Sequence, residues 1–182
     1  MGRDDWALKG LSGAIRETLG REPRVGCEVG IWKGQLSRRL LKEFPSMYLV
    51  MVDPYLPYED KLGRKPVDDM MDAMKEAVAE TTFAADRRRF LLMSSLQSAV
   101  FFRDGFFDFV YIDADHSEEA VTSDFGLWCP KVREGGLLGG HDYDGVGDKK
   151  GRFGVKKAVD KAAEVKGLEV KTTHQNVWYI KK

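Results

Sequence analysis

The stretch VYIDADH, residues 110–116, decides the fold, because an apolar run ends there in two carboxylates and an imidazole within four residues. The apolar part is typical of a strand whose two faces are both buried in a parallel sheet. Asp113, Asp115 and His116 then stand at the carboxyl end of that strand. By themselves they could form a turn, a set of metal ligands, a cofactor-binding site or an acid/base pair, so the rest of the sequence has to discriminate.

Composition restricts the class of protein. The chain has 182 residues, of which 43% are hydrophobic and 32% charged, which is typical of one globular domain with a sizeable core. Lys plus Arg and Asp plus Glu both number 29, so the formal net charge is zero. A neutral chain lacks the basic surface that nucleic-acid binding requires. We interpret the short DRRRF run at 86–90 as a solvated helix end and expect no nucleic-acid partner.

Localisation follows from what the chain does not contain. No apolar stretch approaches the roughly 18 residues of a membrane span, and the first ten residues, MGRDDWALKG, carry neither a signal-peptide core nor a myristoylation signal. Cys27 and Cys129 have no metal-binding or redox spacing, so we expect buried free thiols. These features favour a cytoplasmic protein without a membrane partner.

Helix-like and strand-like segments alternate along the whole chain, which predicts βαβ units. The fold class is therefore α/β, with a doubly wound, Rossmann-like sheet of about seven strands that is mostly parallel. Only HQN separates the last two strand-like segments, LEVKTT and VWYIKK, and this favours an antiparallel hairpin at the C-terminal edge. The predicted strands are RVGCEVG, MYLVMVD, RFLLMSS, FDFVYID, GGLLGGHD, LEVKTT and VWYIKK.

We interpret residues 1–182 as a single domain, with an N-terminal helix within 1–22 and a lid over 54–88. The lid would consist of a Tyr- and Pro-rich loop and a helix from about 67 to 88. Met70, Met71, Met74 and Val78 are expected to share one face of this helix, and the simplest role for that face is packing against the core.

Polar residues follow five of the predicted strands. Because the carboxyl ends of parallel strands meet at one edge of a sheet, and ligands bind there at the topological switch point, we expect one shared site. A single Asp after a strand is usually a turn or a helix cap, so the prediction depends on the coincidence of five. The five groups are Glu28 with Gly30, Asp53, Ser94 with Ser95, Asp113 to His116, and His141 with Asp142.

The stretch GCEVGIWKGQLS, residues 26–37, indicates the kind of ligand. Its glycines are four residues apart and do not form the GxGxxG loop that brings backbone amides close to a pyrophosphate. A looser turn beside the acidic Glu28 suits a ligand without phosphates. Asp53 ends the next strand, where a carboxylate can bind both hydroxyls of a ribose. A nucleoside that carries a cation matches this pair, and S-adenosylmethionine (SAM) is the obvious candidate.

Four segments resemble the class I SAM-dependent methyltransferases, namely CEVGIWKGQLS, VMVDPY, residues 110–143 and GVKKAVD. The branch they resemble most is the small O-methyltransferase-like group with an IDxxH…D…GG…HD signature. More distantly the chain is similar to catechol and caffeoyl-CoA O-methyltransferases, which use a divalent metal. The resemblance runs from about residue 25 to the end, and it implies methyl transfer from SAM to a hydroxyl of a small molecule such as a sugar or another hydroxylated metabolite.

The resemblance also implies which residues bind the cofactor. Asp53 matches the ribose-binding acid, and Asp115 falls where caffeoyl-CoA enzymes contact the cofactor. Ser94 stands where many relatives carry an acid, so the contacts to adenine would differ. The residues that the resemblance assigns to SAM are Glu28, Gly30, Trp32, Gly34, Asp53, Ser94, Ser95 and Asp115.

A metal and a base are implied in the same way. Asp113 matches the first metal ligand, and His141 and Asp142 match an Asp–Asn pair. Two carboxylates and one imidazole could bind Mg, Mn or a similar divalent ion and leave positions open for water and substrate. His116 falls where the catechol enzyme has its catalytic lysine, so His116 and Asp113 are assigned to catalysis. Alternatively, Asp142 caps the backbone, and His116 orients Asp113 or caps the following helix.

Two other functions stay open on the sequence, an NAD-type oxidoreductase and a non-catalytic nucleoside-binding module. The missing GxGxxG argues against the first, and the intact His116, His141 and Asp142 argue against the second. The expected partner is a small hydroxylated acceptor. The oligomeric state is open between a monomer and a homodimer.

Overall fold

The computed structural model describes residues 3–56, 70–145, 153–173 and 176–182, with side chains from residue 9 onward. Strands and helices alternate in these residues as the sequence predicts, and a short 3-10 helix lies at Thr82–Arg87. In chain order the other elements are α1 (Arg3–Leu19), β1 (Val25–Val29), α2 (Gln35–Glu43), β2 (Tyr48–Val52), α3 (Met70–Glu80), β3 (Arg88–Leu91), α4 (Ser95–Ala99), β4 (Phe107–Ile112), α5 (Glu118–Trp128), β5 (Val132–Gly140), α6 (Val155–Lys166), β6 (Lys171–Thr173) and β7 (Val177–Lys181).

The described strands form one seven-stranded sheet with the order β3-β2-β1-β4-β5-β7-β6. The first five strands of the chain run parallel to one another. Strand β7 lies between β5 and β6 and is antiparallel to both. The predicted fold class is confirmed, including the antiparallel pair at the C-terminal edge.

The core consists of two layers of apolar side chains, one on each face of the sheet. In β4, Phe109 and Tyr111 join the layer that packs against α1, α2 and α3, whereas Val110 and Ile112 join the layer against α5 and α6. Every residue of β4 is buried. Helices on both faces therefore explain why residues 109–112 of this strand are a continuous apolar run instead of an alternating one.

The polar residues that follow the strands lie on one edge of the sheet. After each of four strands, the backbone N–H of the next residue donates to a carbonyl of the neighbouring strand. The hydrogen-bond ladder of the sheet therefore continues one residue beyond these strand ends. The bonds are Asp53 N to Leu91 O (3.2 Å), Gly30 N to Val52 O (2.9 Å), Asp113 N to Val29 O (2.7 Å) and His141 N to Ile112 O (3.2 Å). The expected convergence of these segments is confirmed.

Gly30 marks the closest approach between two of these segments. Its φ is +92°, and a Cβ at this position would lie 2.1 Å from the carbonyl oxygen of Asp113. Only glycine combines this backbone conformation with so close a contact. The turn after β1 can therefore lie directly on the segment that follows β4.

The predicted lid helix was too long. Its helical residues divide into α3 and the 3-10 helix at Thr82–Arg87, and residues 57–69 of the lid lie outside the described residues. The expected core-facing face is confirmed for Met70, which is buried, and for Met74, which packs against the core. It is wrong for Met71, which is 53% exposed, and for Val78, which is also exposed. The buried face consists of Met70, Ala73 and Ala77. Alanine is favoured there because α3 packs closely on Gly34, where a Cβ would lie 2.9 Å from Ala77 Cα.

Helix α4 was not predicted, because five residues are too few for a helical period to be visible. Its local signal is a capping box, in which Ser94 Oγ accepts the N–H of Gln97 and the Gln97 side chain accepts the N–H of Ser94.

Cys27 and Cys129 are buried free thiols, as expected. Among the described residues, no helix combines the length and the apolar character needed to cross a bilayer.

Replacing Gly30 with Ala should destabilise the protein by about 3 kcal/mol or more, because the new methyl group collides with the Asp113 carbonyl and φ is unfavourable. The measurement is the free energy of unfolding in urea. Gly13→Ala is the control, since Gly13 lies in α1 with nothing within 4 Å of its Cβ position. This control should be neutral or stabilising by up to about 1 kcal/mol. Equal stability of Gly30→Ala and wild type would contradict the proposed contact.

Candidate active site

Asp53 organises the loop between β1 and α2. Its carboxylate is 7% exposed, and its Oδ2 accepts the backbone N–H groups of Ile31 and Trp32, each at 3.0 Å. Its Oδ1 accepts the N–H of Tyr55 at 2.9 Å. Asp53 therefore shapes the loop to which the sequence assigned cofactor binding. Each carboxylate oxygen can accept more than one hydrogen bond, so Asp53 can still accept a ribose hydroxyl beside its three backbone N–H groups. Binding of a ribose by Asp53 stays a prediction.

Trp32 places a flat apolar surface at this edge of the sheet. The indole is 52% exposed, and Trp32 has a φ of +49°. The Tyr55 hydroxyl donates to the Trp32 carbonyl at 2.8 Å, and Tyr55 itself has a φ of +47°. Left-handed conformations of bulky residues are costly and persist where the surroundings enforce them, frequently at functional sites. The loop is thus held in a defined shape with its one large apolar side chain facing solvent.

Glu28 is buried beneath this loop. It is 2% exposed, and the Ser37 hydroxyl donates to its Oε2 at 2.5 Å. Burial raises the pKa of Glu28 to about 8, and the charges of Asp113 and Asp53 act in the same direction, while the bond from Ser37 opposes them. In the unliganded protein Glu28 is therefore mostly neutral at pH 7. A cationic ligand nearby would favour its ionised form.

The two serines after β3 have different hydrogen-bond partners. Ser94 caps α4, whereas the Ser95 hydroxyl donates to Asp124 and accepts the indole N–H of Trp128 at 2.8 Å. Burial raises the pKa of Asp124 to about 6, and the charge of Asp115 contributes, while the Ser95 bond opposes the shift. Asp124 was given no role from the sequence, although it lies in the segment of highest resemblance. It anchors the start of α4 to α5.

Asp113, His116, His141 and Asp142 form one cluster, as the sequence predicts. His116 Nε2 lies 2.9 Å from Asp142 Oδ2 and 3.3 Å from Asp113 Oδ1. His141 Nδ1 lies 3.4 Å from the same Asp142 Oδ2. One ligand atom each from Asp113, His141 and Asp142 can be chosen so that all three lie within 4.8 Å of one another. These three side chains could therefore bind one divalent cation.

The charges of the two histidine-bound carboxylates dominate the electrostatics of this cluster. Burial lowers the pKa of His116, but the hydrogen bonds and charges of Asp113 and Asp142 outweigh it and raise the pKa to about 9. Burial opposes ionisation of Asp142, yet the bonds from His116 and His141 hold its pKa well below the usual range. The His116 ring also stacks on Phe153, with centroids 4.7 Å apart. Without a metal, His116 is the cation between two carboxylates.

The helix after β4 begins as predicted. Ser117 is its N-cap and accepts the N–H of Ala120, and Glu118 and Glu119 lie in its first turn. Asp115 accepts the N–H of Ser117 at 2.8 Å. His116 therefore does not cap α5, and this alternative for its role is wrong.

Trp178 of β7 and Asn176 before it were not assigned to the site from the sequence. Trp178 borders a small cavity of about 10 Å³ together with Asp113, His116 and His141, and its buried indole N–H has no hydrogen-bond partner in the part of the chain that the structure describes. Asn176 donates to Asp142. No periodicity or motif marks these residues, because they reach the site through the pairing of β7 with β5.

The fold and the cluster of polar strand ends define a class I methyltransferase. The sequence profile of the family described as "Methyltransferase domain" matches residues 27–143, which include β1 through β5 and the whole cluster. The chain belongs to this methyltransferase family. A search of curated protein sequences gives no match.

Solved structures with the same fold include several methyltransferases. A putative caffeoyl-CoA O-methyltransferase from Staphylococcus aureus is 16% identical, with a TM-score of 0.68 over 97% of this chain and 83% of that chain. An O-methyltransferase from Bacillus cereus in complex with SAH is 16% identical, with a TM-score of 0.62 over 94% and 79% of the two chains. TomG from Streptomyces achromogenes, an O-methyltransferase in complex with SAM, is 15% identical, with a TM-score of 0.63 over 91% and 75%.

The raised pKa of Glu28 predicts how stability depends on pH. The pKa is about 8 in the folded state and near 4.5 when the group is unperturbed, so the folded state keeps a proton that the unfolded state releases. Stability from this group is complete below about pH 4.5 and is lost as the pH rises through 8, by up to about 1.4 kcal/mol per pH unit.

Glu28→Gln should therefore flatten the pH dependence of the free energy of unfolding between pH 5 and 8.5, measured in urea without cofactor. Glu134→Gln is the control, because the Glu134 side chain is exposed and pairs only loosely with Lys182. Parallel curves for wild type and Glu28→Gln would contradict a neutral Glu28.

Proposed function

We propose that this protein transfers the methyl group of SAM to a hydroxyl of a small molecule, with a divalent cation bound by Asp113, His141 and Asp142. The observation that carries the proposal is the convergence of these three side chains within 4.8 Å, beside the loop that Gly30 brings onto Asp113. The O-methyltransferase neighbours support a hydroxyl acceptor.

The cofactor would lie against the loop that follows β1. Asp53 keeps this loop in place and offers carboxylate oxygens to the ribose, while the exposed Trp32 covers apolar parts of the cofactor. The charges of Asp53 and Asp113 give this edge of the sheet a negative potential that favours a sulfonium over a neutral ligand, and a sulfonium beside the buried Glu28 would favour its ionised form. SAM supplies the methyl group on its sulfonium. Ser94 and Ser95 hold the start of α4 next to the cofactor.

The donor set is suited to a divalent cation. Two carboxylates and one imidazole are ligands that Mn²⁺, Fe²⁺ and Zn²⁺ accept, whereas an all-oxygen set is more typical of Mg²⁺. A bound cation would lower the pKa of the acceptor hydroxyl and fix its oxygen. Asp113 and Asp142 would hold the cation, and they would then give up part of their interaction with His116.

His116 is proposed to receive the proton of the acceptor hydroxyl at its Nε2. This atom faces both Asp113 and Asp142, so it borders the place where the hydroxyl would bind. A second positive charge between the carboxylates disfavours the imidazolium, which leaves Nε2 able to accept a proton at neutral pH. Stacking on Phe153 keeps the ring in this orientation.

Cofactor binding is tested by calorimetry with S-adenosylhomocysteine. The wild-type protein should bind it, and Trp32→Ala should weaken binding by about fivefold or more, since stacking of a base on an aromatic ring is worth about 1–3 kcal/mol. Phe83→Ala is the control, because Phe83 is similarly exposed but contacts Lys42 and Arg87 instead of the site. Absence of any binding heat with the wild-type protein at high ligand concentration would refute the proposed cofactor.

The proposed cation is tested by Mn²⁺ binding, followed by electron paramagnetic resonance. Asp113→Asn should weaken Mn²⁺ binding at least tenfold, because it removes one charged ligand, and should leave the wild-type affinity for S-adenosylhomocysteine within about threefold. Asp104→Asn is the matched control, since Asp104 is exposed and pairs with Lys131 away from the site. Equal Mn²⁺ affinity in Asp113→Asn and wild type would refute the cation site but not the cofactor site.

A further inference from the structure

Asn176 occupies a position that is unusual for a turn residue. It lies directly before β7, has a φ of +72° and is only 9% exposed. Asparagine tolerates this backbone conformation better than most other residues. A buried side-chain amide needs hydrogen-bond partners, and those that the described part of the chain provides for Asn176 lie in the segment that contains Asp142.

Three hydrogen bonds connect Asn176 to this segment. Its Nδ2 donates to Asp142 Oδ1 at 3.2 Å, and its backbone carbonyl accepts the N–H of Tyr143 at 3.1 Å. Its Oδ1 accepts the N–H of Asp144. The residue therefore contacts both the backbone that carries Asp142 and the Asp142 carboxylate itself.

The two oxygens of the Asp142 carboxylate have different partners. Oδ1 faces Asn176, while Oδ2 faces His116 at 2.9 Å and His141 at 3.4 Å. Asp142 also has a φ of +56°, a conformation that persists only where the surroundings enforce it. Without Asn176, Oδ1 would lose its donor, the carboxylate would be held at Oδ2 alone, and the backbone would lose the bonds that Asn176 accepts from Tyr143 and Asp144.

We propose that Asn176 is a positioning residue, which turns Oδ2 of Asp142 toward His116 and His141 and so sets the geometry of the proposed cation site. The inference rests on the proposed function, since it assigns a role toward the cation proposed there. It extends that proposal, because Asn176 directly precedes β7, a strand outside the parallel part of the sheet. A neutral amide suits this role, because it donates to the carboxylate without adding charge to the site.

Asn176→Gly tests the inference, because glycine keeps the positive φ and the backbone carbonyl but removes the amide. Mn²⁺ affinity, followed by electron paramagnetic resonance, should fall about 10- to 100-fold, as is typical when the partner of a metal ligand is removed. Affinity for S-adenosylhomocysteine should stay within about threefold of wild type. Tyr143→Phe is the matched control. It removes the bond from the Tyr143 hydroxyl to Asp160, which anchors the same segment, without touching Asp142.

The outcomes separate the two proposals. A large loss of Mn²⁺ affinity in Asn176→Gly with less than about a threefold change in Tyr143→Phe supports the inference. Equal affinity of Asn176→Gly and wild type overturns it while the cation site stands, and an equal loss in both variants assigns the effect to the segment as a whole and also overturns it. Absence of Mn²⁺ binding in the wild-type protein overturns the cation site and the inference together.

A measurement on the wild-type protein covers the case in which Asn176→Gly does not fold. The side-chain amide resonances of Asn176 in a ¹⁵N-labelled sample should shift when Mg²⁺ or Zn²⁺ is added, because the carboxylate that accepts their hydrogen bond becomes a ligand. Side-chain amide resonances that stay unchanged at saturating metal would overturn the inference.

Discussion

The contact between Gly30 and the carbonyl of Asp113 is the constraint on which the site depends. It brings the turn after β1 directly onto the segment after β4, and the N–H of Asp113 continues the ladder to Val29. With this contact in place, the buried Glu28 and the cluster around Asp113 belong to one electrostatic environment, since the charge of Asp113 contributes to the raised pKa of Glu28. A larger residue at position 30 would separate the cofactor loop from the proposed cation site.

A concentration of acidic side chains is the second feature that shapes the site. Acidic side chains from four segments meet at one edge of the sheet, and in the unliganded protein each is compensated in its own way. Glu28 is neutral, Asp53 accepts three backbone N–H groups, and Asp113 and Asp142 share the imidazolium of His116. These compensations are local and reversible, so a ligand that brings positive charge can replace them. An edge of this kind favours a sulfonium and a divalent cation over a phosphate-bearing nucleotide.

The sequence predicted those features that depend on local pattern. Apolar runs that end in polar residues predicted the strands, their parallel arrangement and the convergence of Asp113, His116, His141 and Asp142. It could not predict features that depend on contacts between distant segments. Nothing near Asn176 in the sequence indicates a bond to Asp142. The predicted α3 face included the buried Met70 but missed Ala73 and Ala77, because close packing on Gly34 favours alanine there. Residues 57–69 lie outside the described residues, so the loop part of the predicted lid stays a prediction.

The position of β7 between β5 and β6 has a consequence for how the molecule folds. The pairing of β1 with β4 spans α2, β2, α3, β3 and α4, and the pairing of β5 with β7 spans α6 and β6. Both the parallel part and the antiparallel part of the sheet therefore contain a long-range pairing. Pairings between distant segments form slowly, because the loop must close before any contact rewards it. Docking of β7 also delivers Asn176 to Asp142. We therefore expect the loop after β1, which needs β1 on β4, and the contact of Asn176 with Asp142, which needs β7 on β5, both to form late in folding.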